Sequence, residues 1–173
     1  GGSFEKAKAL ILESAKAGAD YVKLQTYKPE TVTVEGKDSR FKIQSGLWKG
    51  YRLHDLYAKA MTPWEWHKPL SKYAQELGIS LFSSPFDESA VRFLEEEINP
   101  SVYKVASFEL NHFPLLKKIG ETRKPVIASR GVSSDDSVQK AIDCLSSCGC
   151  PEIILLHCVS NYPAELDDFY LRE

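Results

Sequence analysis

"YKVASFEL", residues 103–110, has the make-up of a buried β-strand with a lysine set inside it. Lys104 stands among Val102, Val105 and Ala106, and the run closes on Ser107 and Glu109. An ammonium is costly to bury without a partner, so its place in an apolar strand demands an anion or acceptor within reach. Where the neighbouring strands end decides what that partner is.

Working outward, the same plan repeats on both sides. A helical pattern over 3–18, with Ser3 as N-cap and Gly18 as stop, leads into the β-branched and aromatic stretch "ADYVKLQTY" (19–27). Residues 62–78 start another helix at Thr62, with Pro63 in the first helical position, and "ISLFSSPF" (79–86) follows. Three more helix-then-strand units are 87–97 with 100–109, 113–121 with 124–131, and 133–149 with 151–160. Five strands, each preceded by a helix and each too apolar to be half-exposed, predict a parallel sheet covered by helices. The long irregular stretch 28–60 is expected to be a lid or inserted element, or an Ω-like structural loop, with "GLWKGYRLHDLYAKA" (46–60) as a short helix over the strand ends.

Composition narrows the class. The chain has 173 residues, 43% of them hydrophobic, and a formal net charge of −2. That suits one globular domain over 1–173 and gives no basic stripe for nucleic acid or an anionic membrane. With no apolar run near the roughly 20 residues of a spanning helix, and no signal-peptide plan, the cytoplasm is the expected location. The four cysteines, Cys144, Cys148, Cys150 and Cys158, match no zinc spacing and read as small buried apolar residues.

Each strand finishes in polar groups. Lys23 and Gln25 share a face near the end of the first, Ser83 and Ser84 end the second, and Lys104 and Ser107 belong to the third. Ser129 and Arg130 end the fourth, His157 and Ser160 the fifth. In parallel α/β folds such ends share one rim, where ligands bind. Two lysines, several hydroxyls and the amides of "SRGVSS" (129–134) suit a small dianion such as a phosphate ester. Glu109 is a candidate acid or base, a lysine partner or a cap. "WEWH" (64–67) reads as aromatic packing under a loop, and His112 as an ordinary loop histidine.

"GADYVKLQTYKPET" (18–31), "LFSSPFD" (81–87), "YKVASFE" (103–109) and "LLHCVSNYP" (155–163) occur in that order and carry a family likeness. They resemble the sialic acid synthase family of phosphoenolpyruvate-dependent enzymes, and residues 45–67 look most like its pseudaminic acid synthase branch. The resemblance implies a (β/α)₈ barrel, here a partial one of about five parallel strands alternating with helices. It also implies condensation of phosphoenolpyruvate with the aldehyde of an acetamido sugar, giving a nine-carbon α-keto acid and phosphate. A divalent cation, manganese or magnesium, is implied for the full-length enzyme, and a homodimer.

Carried over by motif, Lys23 matches the lysine of the first phosphoenolpyruvate-binding strand, Ser84 the Thr or Ser of an "STPF"-like motif, Lys104 and Ser107 the lysine and serine of a "YKIxS"-like strand, and Ser129 the serine of an "STG"-like turn, all expected to bind substrate. Gln25 and Tyr162 match groups facing the sugar, with Ser160 a polar group just before Tyr162. Arg130 stands where the family usually has Thr, and either adds a third cation or turns outward. The family's first strand with its catalytic Glu, its two metal-binding histidines and its C-terminal antifreeze-like domain find no match in this segment. No metal is therefore expected on it, and negligible turnover by it alone. The competing readings are a Schiff-base aldolase acting through Lys104 and a non-catalytic sugar-phosphate binder.

Overall fold

Seven α-helices and five strands alternate along the chain in the computed structural model, which describes residues 2–161 and 163–171. The chain divides into two units, Gly1–Pro100 and Ser101–Glu173. In the first, helix α1 (Phe4–Lys16) starts where the Ser3 hydroxyl accepts from the Lys6 amide, and Gly18, at φ +83°, lies just past its end. Strand β1 (Tyr21–Thr26) follows. The stretch after it is broken into helix α2 (Pro29–Val32), a 3₁₀ turn at Ser39–Phe41 and helix α3 (Leu53–Ala60).

Only the second half of the helix expected over 46–60 forms. Residues 43–51 instead close a turn in which the Ile43 amide donates to the Tyr51 carbonyl and the Gly50 amide to the Ile43 carbonyl, each at 2.9 Å. Gly46 and Gly50 have φ of +79° and +89° there, which a helix does not tolerate.

The next helix also departs from expectation. Trp64–Trp66 is a 3₁₀ turn, and helix α4 runs His67–Glu76 rather than from Thr62. Pro69 explains the restart, because it has no N–H to give a carbonyl four residues back and is accommodated only in a helix's first turn. Strand β2 (Ser80–Pro85) and helix α5 (Glu88–Glu97), capped by the Asp87 carboxylate, complete the unit. β1 and β2 pair in parallel from Tyr21↔Ser80 to Thr26↔Pro85. Val22 and Leu24 pack against a core of Ile11, Leu70, Ala74, Ile79 and Leu81, so the helices cover that face. The alternation of β1 turns Lys23 and Gln25 to the other face.

The second unit begins with strand β3 (Tyr103–Val105), shorter than the strand read over 100–109. Ser107–Glu109 instead form a 3₁₀ turn, so Ser107 and Glu109 extend beyond the ladder. Helix α6 (Phe113–Gly120), strand β4 (Val126–Ser129), helix α7 (Asp135–Ser147) and strand β5 (Ile153–Leu156) follow. β4 pairs in parallel with both β3 and β5. Leu115, Leu116, Ile119, Val126, Ala128, Ala141 and Leu145 are buried around it.

β5 is not covered as expected: Ile154, Leu155 and Leu156 are 40–43% exposed. Among the described residues β5 pairs with β4 on one side only, and apolar content alone does not supply a second neighbour. No described helix is long and apolar enough to cross a membrane.

α6 and α7 approach closely because α6 ends in glycine. A Cβ at Gly120 would lie 2.6 Å from the Cys148 Cβ and 3.1 Å from the Leu145 carbonyl oxygen. Gly120→Ala should therefore destabilise the protein by about 1–3 kcal/mol through overpacking, read as a lowered melting temperature. Adding Cys148→Gly should restore part of the loss, whereas Cys148→Ser, which keeps the Cβ, should not.

Candidate functional site

Polar groups gather where β3 and β4 end. Lys104 pairs with Ile127 across the ladder, so Ser129, two residues further along β4, faces the same side as the lysine. The Lys104 ammonium donates to the Ser129 Oγ and to the Val105 carbonyl, both at 2.6 Å. Such charged donors give the strongest hydrogen bonds a side chain makes.

Ser107 is brought in by the turn after β3, and Gly131 makes room for it. Gly131 has φ +47°, and a Cβ on it would overlap the Ser107 Cβ, lie 2.9 Å from the Ser107 Oγ and 3.1 Å from the Ser160 Oγ. Two hydroxyls thus stand over the bare face of one glycine. The Ser160 Oγ is buried with no hydrogen-bond partner, and so is the Glu109 Oε2. Buried polar atoms without partners are uncommon, and the Ser160 hydroxyl beside Gly131 is suited to a ligand. Burial pushes the Glu109 carboxyl above its ordinary pKa; its own backbone amide and the Lys104 charge oppose this more weakly.

Arg130 turns outward. Its guanidinium pairs with Asp135 in the first turn of α7 at 2.8 Å and reaches the Ser133 carbonyl at 3.4 Å. It helps cap a helix and adds no cation to the hydroxyl cluster. His157 is exposed, its Nε2 bonded to the Phe169 carbonyl at 2.8 Å, and His112 is exposed as the residue ahead of α6. Tyr162 lies outside the described residues. The four cysteines are free and partly exposed rather than buried, Cys144 and Cys148 lying at the α7 end that meets α6.

In the first unit, Gln25 is the ladder partner of Ser84, and Lys23 of Phe82, so all four share the face away from the helices. Ser84 is buried, while Lys23 and Gln25 are exposed. The Lys23 ammonium is nonetheless desolvated enough for its pKa to fall.

On the helix-covered face lies a group that the sequence reading missed. Thr26 Oγ1 is 2.8 Å from His67 Nε2 and 2.7 Å from the Ser83 Oγ. "WEWH" is thus more than aromatic packing: Trp64 Nε1 also donates to the Tyr27 carbonyl at 3.1 Å. The available signal was the alternation itself, which puts Thr26 and Ser83 on the apolar side of their strands.

Residues 10–173 match the NeuB family. The chain is 38% identical to a pseudaminic acid synthase of Campylobacter jejuni over 99% of its own length and 50% of the relative's. It is 41% identical to a pseudaminic acid synthase of Helicobacter pylori over 94% of its own length and 47% of the relative's. It therefore spans about half the length of these curated relatives. The crystal structure of N-acetylneuraminic acid synthetase from Leptospira borgpetersenii, in complex with citrate, superposes with a TM-score of 0.83 at 28% identity, covering 98% of this chain and 54% of that one. A truncated 3-deoxy-D-arabino-heptulosonate 7-phosphate synthase from Thermotoga maritima, 15% identical with a TM-score of 0.61 over 88% of this chain and 45% of that one, shares the fold. Five parallel strands alternating with helices are what this chain has in common with these TIM-barrel-type neighbours.

Two substitutions probe the second-unit cluster. Gly131→Ala must adopt a left-handed backbone and push Ser107 aside, so it should lower stability by about 1–3 kcal/mol, measured by denaturant unfolding. Glu109 tests the burial argument by its pH dependence. A raised folded-state pKa means that the native chain holds this proton more tightly than the unfolded one, so the stability it contributes is lost as pH rises above about 4. Glu109→Gln cannot ionise, and in melts from acid to neutral pH its melting temperature should rise relative to the parent's as pH increases.

Proposed function

The chain belongs to the NeuB family, and from that premise we propose that the full-length protein is a nonulosonic acid synthase, joining phosphoenolpyruvate to the open-chain aldehyde of an acetamido sugar. The product is a nine-carbon α-keto acid, pseudaminic acid or a close relative, with release of phosphate. The two pseudaminic acid synthases, matched over nearly the whole of this chain, support that product class.

The single observation carrying the reading is the cluster around Gly131. Lys104 and Ser129 are joined at 2.6 Å, and Ser107 and Ser160 stand over the glycine. The Ser160 Oγ is buried and unpartnered. A phosphate ester meets all of these needs at once, accepting from the hydroxyls while its charge balances the ammonium.

In this reading Lys104, Ser107, Ser129 and Ser160 hold the phosphoenolpyruvate phosphate. By the family resemblance, Lys23 matches a phosphoenolpyruvate-binding position, Ser84 a hydroxyl position of its motif, and Gln25 and Tyr162 positions facing the sugar. The carbon–carbon bond forms from phosphoenolpyruvate C3 to the aldehyde carbon. Water adds at C2, and the C2–O bond to phosphate then breaks. The developing alkoxide needs a proton, and Glu109, which burial favours as the neutral acid, is suited to supply one. The divalent cation that the resemblance implies finds no cluster of three His, Cys, Asp or Glu side chains to hold it among the described residues.

The test is phosphate release by the full-length protein given phosphoenolpyruvate with 2,4-diacetamido and 2-acetamido hexoses, with product mass read alongside. Turnover that requires both substrates is the expected result. Lys104→Met should lower kcat/KM by about 10²-fold, the value of a charged hydrogen bond of ~3 kcal/mol. Phosphoenolpyruvate binding with no turnover on any sugar would point to a binder instead. Borohydride trapping of a keto substrate on Lys104 would replace the synthase with an aldolase.

A further inference from the structure

The buried polar chain behind β1 and β2 has no part in the roles assigned so far. His67, Thr26 and Ser83 are each 0% exposed. His67 Nδ1 faces carbonyls, that of Trp64 at 3.2 Å and that of Pro63 at 3.3 Å. Carbonyls only accept, so Nδ1 carries the ring proton and Nε2 presents its lone pair. Nε2 then accepts from the Thr26 hydroxyl at 2.8 Å, which leaves the Thr26 oxygen to accept from the Ser83 hydroxyl at 2.7 Å. Each hydrogen in the chain has one direction. Burial favours the neutral ring, lowering its pKa more than the two carbonyls and Glu65 raise it.

Both hydroxyls sit beside residues of the candidate site. Thr26 follows Gln25 in β1 and Ser83 precedes Ser84 in β2, and Gln25 and Ser84 are ladder partners on the opposite face. Because alternate residues of a strand point to opposite sides, fixing Thr26 and Ser83 from behind fixes the backbone from which Gln25 and Ser84 project. The same short segment holds β1 at a second point, through Trp64 Nε1 and the Tyr27 carbonyl, and is itself wedged by Phe93, whose ring lies 4.6 Å from Trp64 and 5.3 Å from His67.

We propose that His67 is a positioning residue for the reaction, holding the ends of β1 and β2 at the spacing that presents Gln25 and Ser84 to the substrates. It rests on the synthase reading above. Three buried polar side chains are more than two strand ends need for packing, since an apolar trio would fill the space with no hydrogen bonds to satisfy.

The experiment uses the full-length protein. His67→Phe keeps an aromatic ring and deletes both ring hydrogen bonds; Thr26→Val deletes the middle link; His67→Gln keeps an acceptor towards Thr26. At temperatures well below each variant's melting point, His67→Phe should raise KM for the sugar about tenfold with a smaller change in kcat. Thr26→Val should match it, the double variant should be no worse than either, and His67→Gln should recover part of the loss. Imidazole ¹⁵N shifts at neutral pH should show the Nδ1–H tautomer, with the ring titrating below an ordinary histidine.

Unchanged KM in well-folded His67→Phe would overturn the proposal, as would an Nε2–H tautomer or a ring that titrates near its ordinary value. If the parent protein turns over no substrate, the synthase reading falls, and the amide resonances of Gln25 and Ser84 decide the relay separately. Their displacement in His67→Phe, with those of β3 to β5 unmoved, would support it; their constancy would reject it.

Discussion

A cation held inside a β-ladder needs something to donate to, and that need organises the second unit. Lys104 lies between Tyr103 and Val105, both fully buried on the opposite face of the strand, and is itself only partly exposed. It bends to its own strand's carbonyl and across to the Ser129 hydroxyl. Parallel pairing makes the second bond possible, because it carries β4 forward until Ser129 comes level with the end of β3. The turn after β3 and the glycine after β4 then bring Ser107 and Ser160 to the same neighbourhood. The buried hydroxyl of Ser160 and the buried oxygen of Glu109 lack partners, so the arrangement is less than fully satisfied by the protein alone.

The first unit solves a related problem on the other side of its strands. Its outward face holds Lys23 and Gln25, while its inward face must accommodate the hydroxyls of Thr26 and Ser83 against an apolar layer. One neutral histidine does this by accepting from one hydroxyl while giving its own hydrogen to carbonyls of the preceding turn. The 3₁₀ turn ahead of α4 is part of that solution. There the Pro63 and Trp64 carbonyls, which also accept the Trp66 and His67 amides, come within reach of the imidazole, in place of the continuous helix expected from Thr62.

Much of the architecture was legible because it rests on local pattern. Apolar runs of strand length, each following an amphipathic helix, required a parallel arrangement, and the described strands pair in parallel within each unit. The four ordered motifs identified the family that residues 10–173 match. Less was legible at element ends. "YKVASFE" was read as one strand but becomes three residues of strand and a turn, since Ser107 to Glu109 leave the ladder. Residues 46–52 stayed out of the expected helix because Gly46 and Gly50 take left-handed backbone. The cysteines read as buried are partly exposed, and β5, read as covered, shows its apolar side chains.

By itself the sequence determined the order of helices and strands, their parallel sense, the polar endings and the family, for these follow from periodicity and motif along the chain. Only the tertiary structure decided that Arg130 turns to Asp135, that Gly131 lets two serines meet, and that His67 serves strands rather than surface. The last two depend on distances between groups far apart in sequence, 41 residues for His67 and Thr26 and 57 for Thr26 and Ser83. A hydrogen bond is short and directional, so whether it forms is settled by packing to within about an ångström, and no linear pattern carries that information.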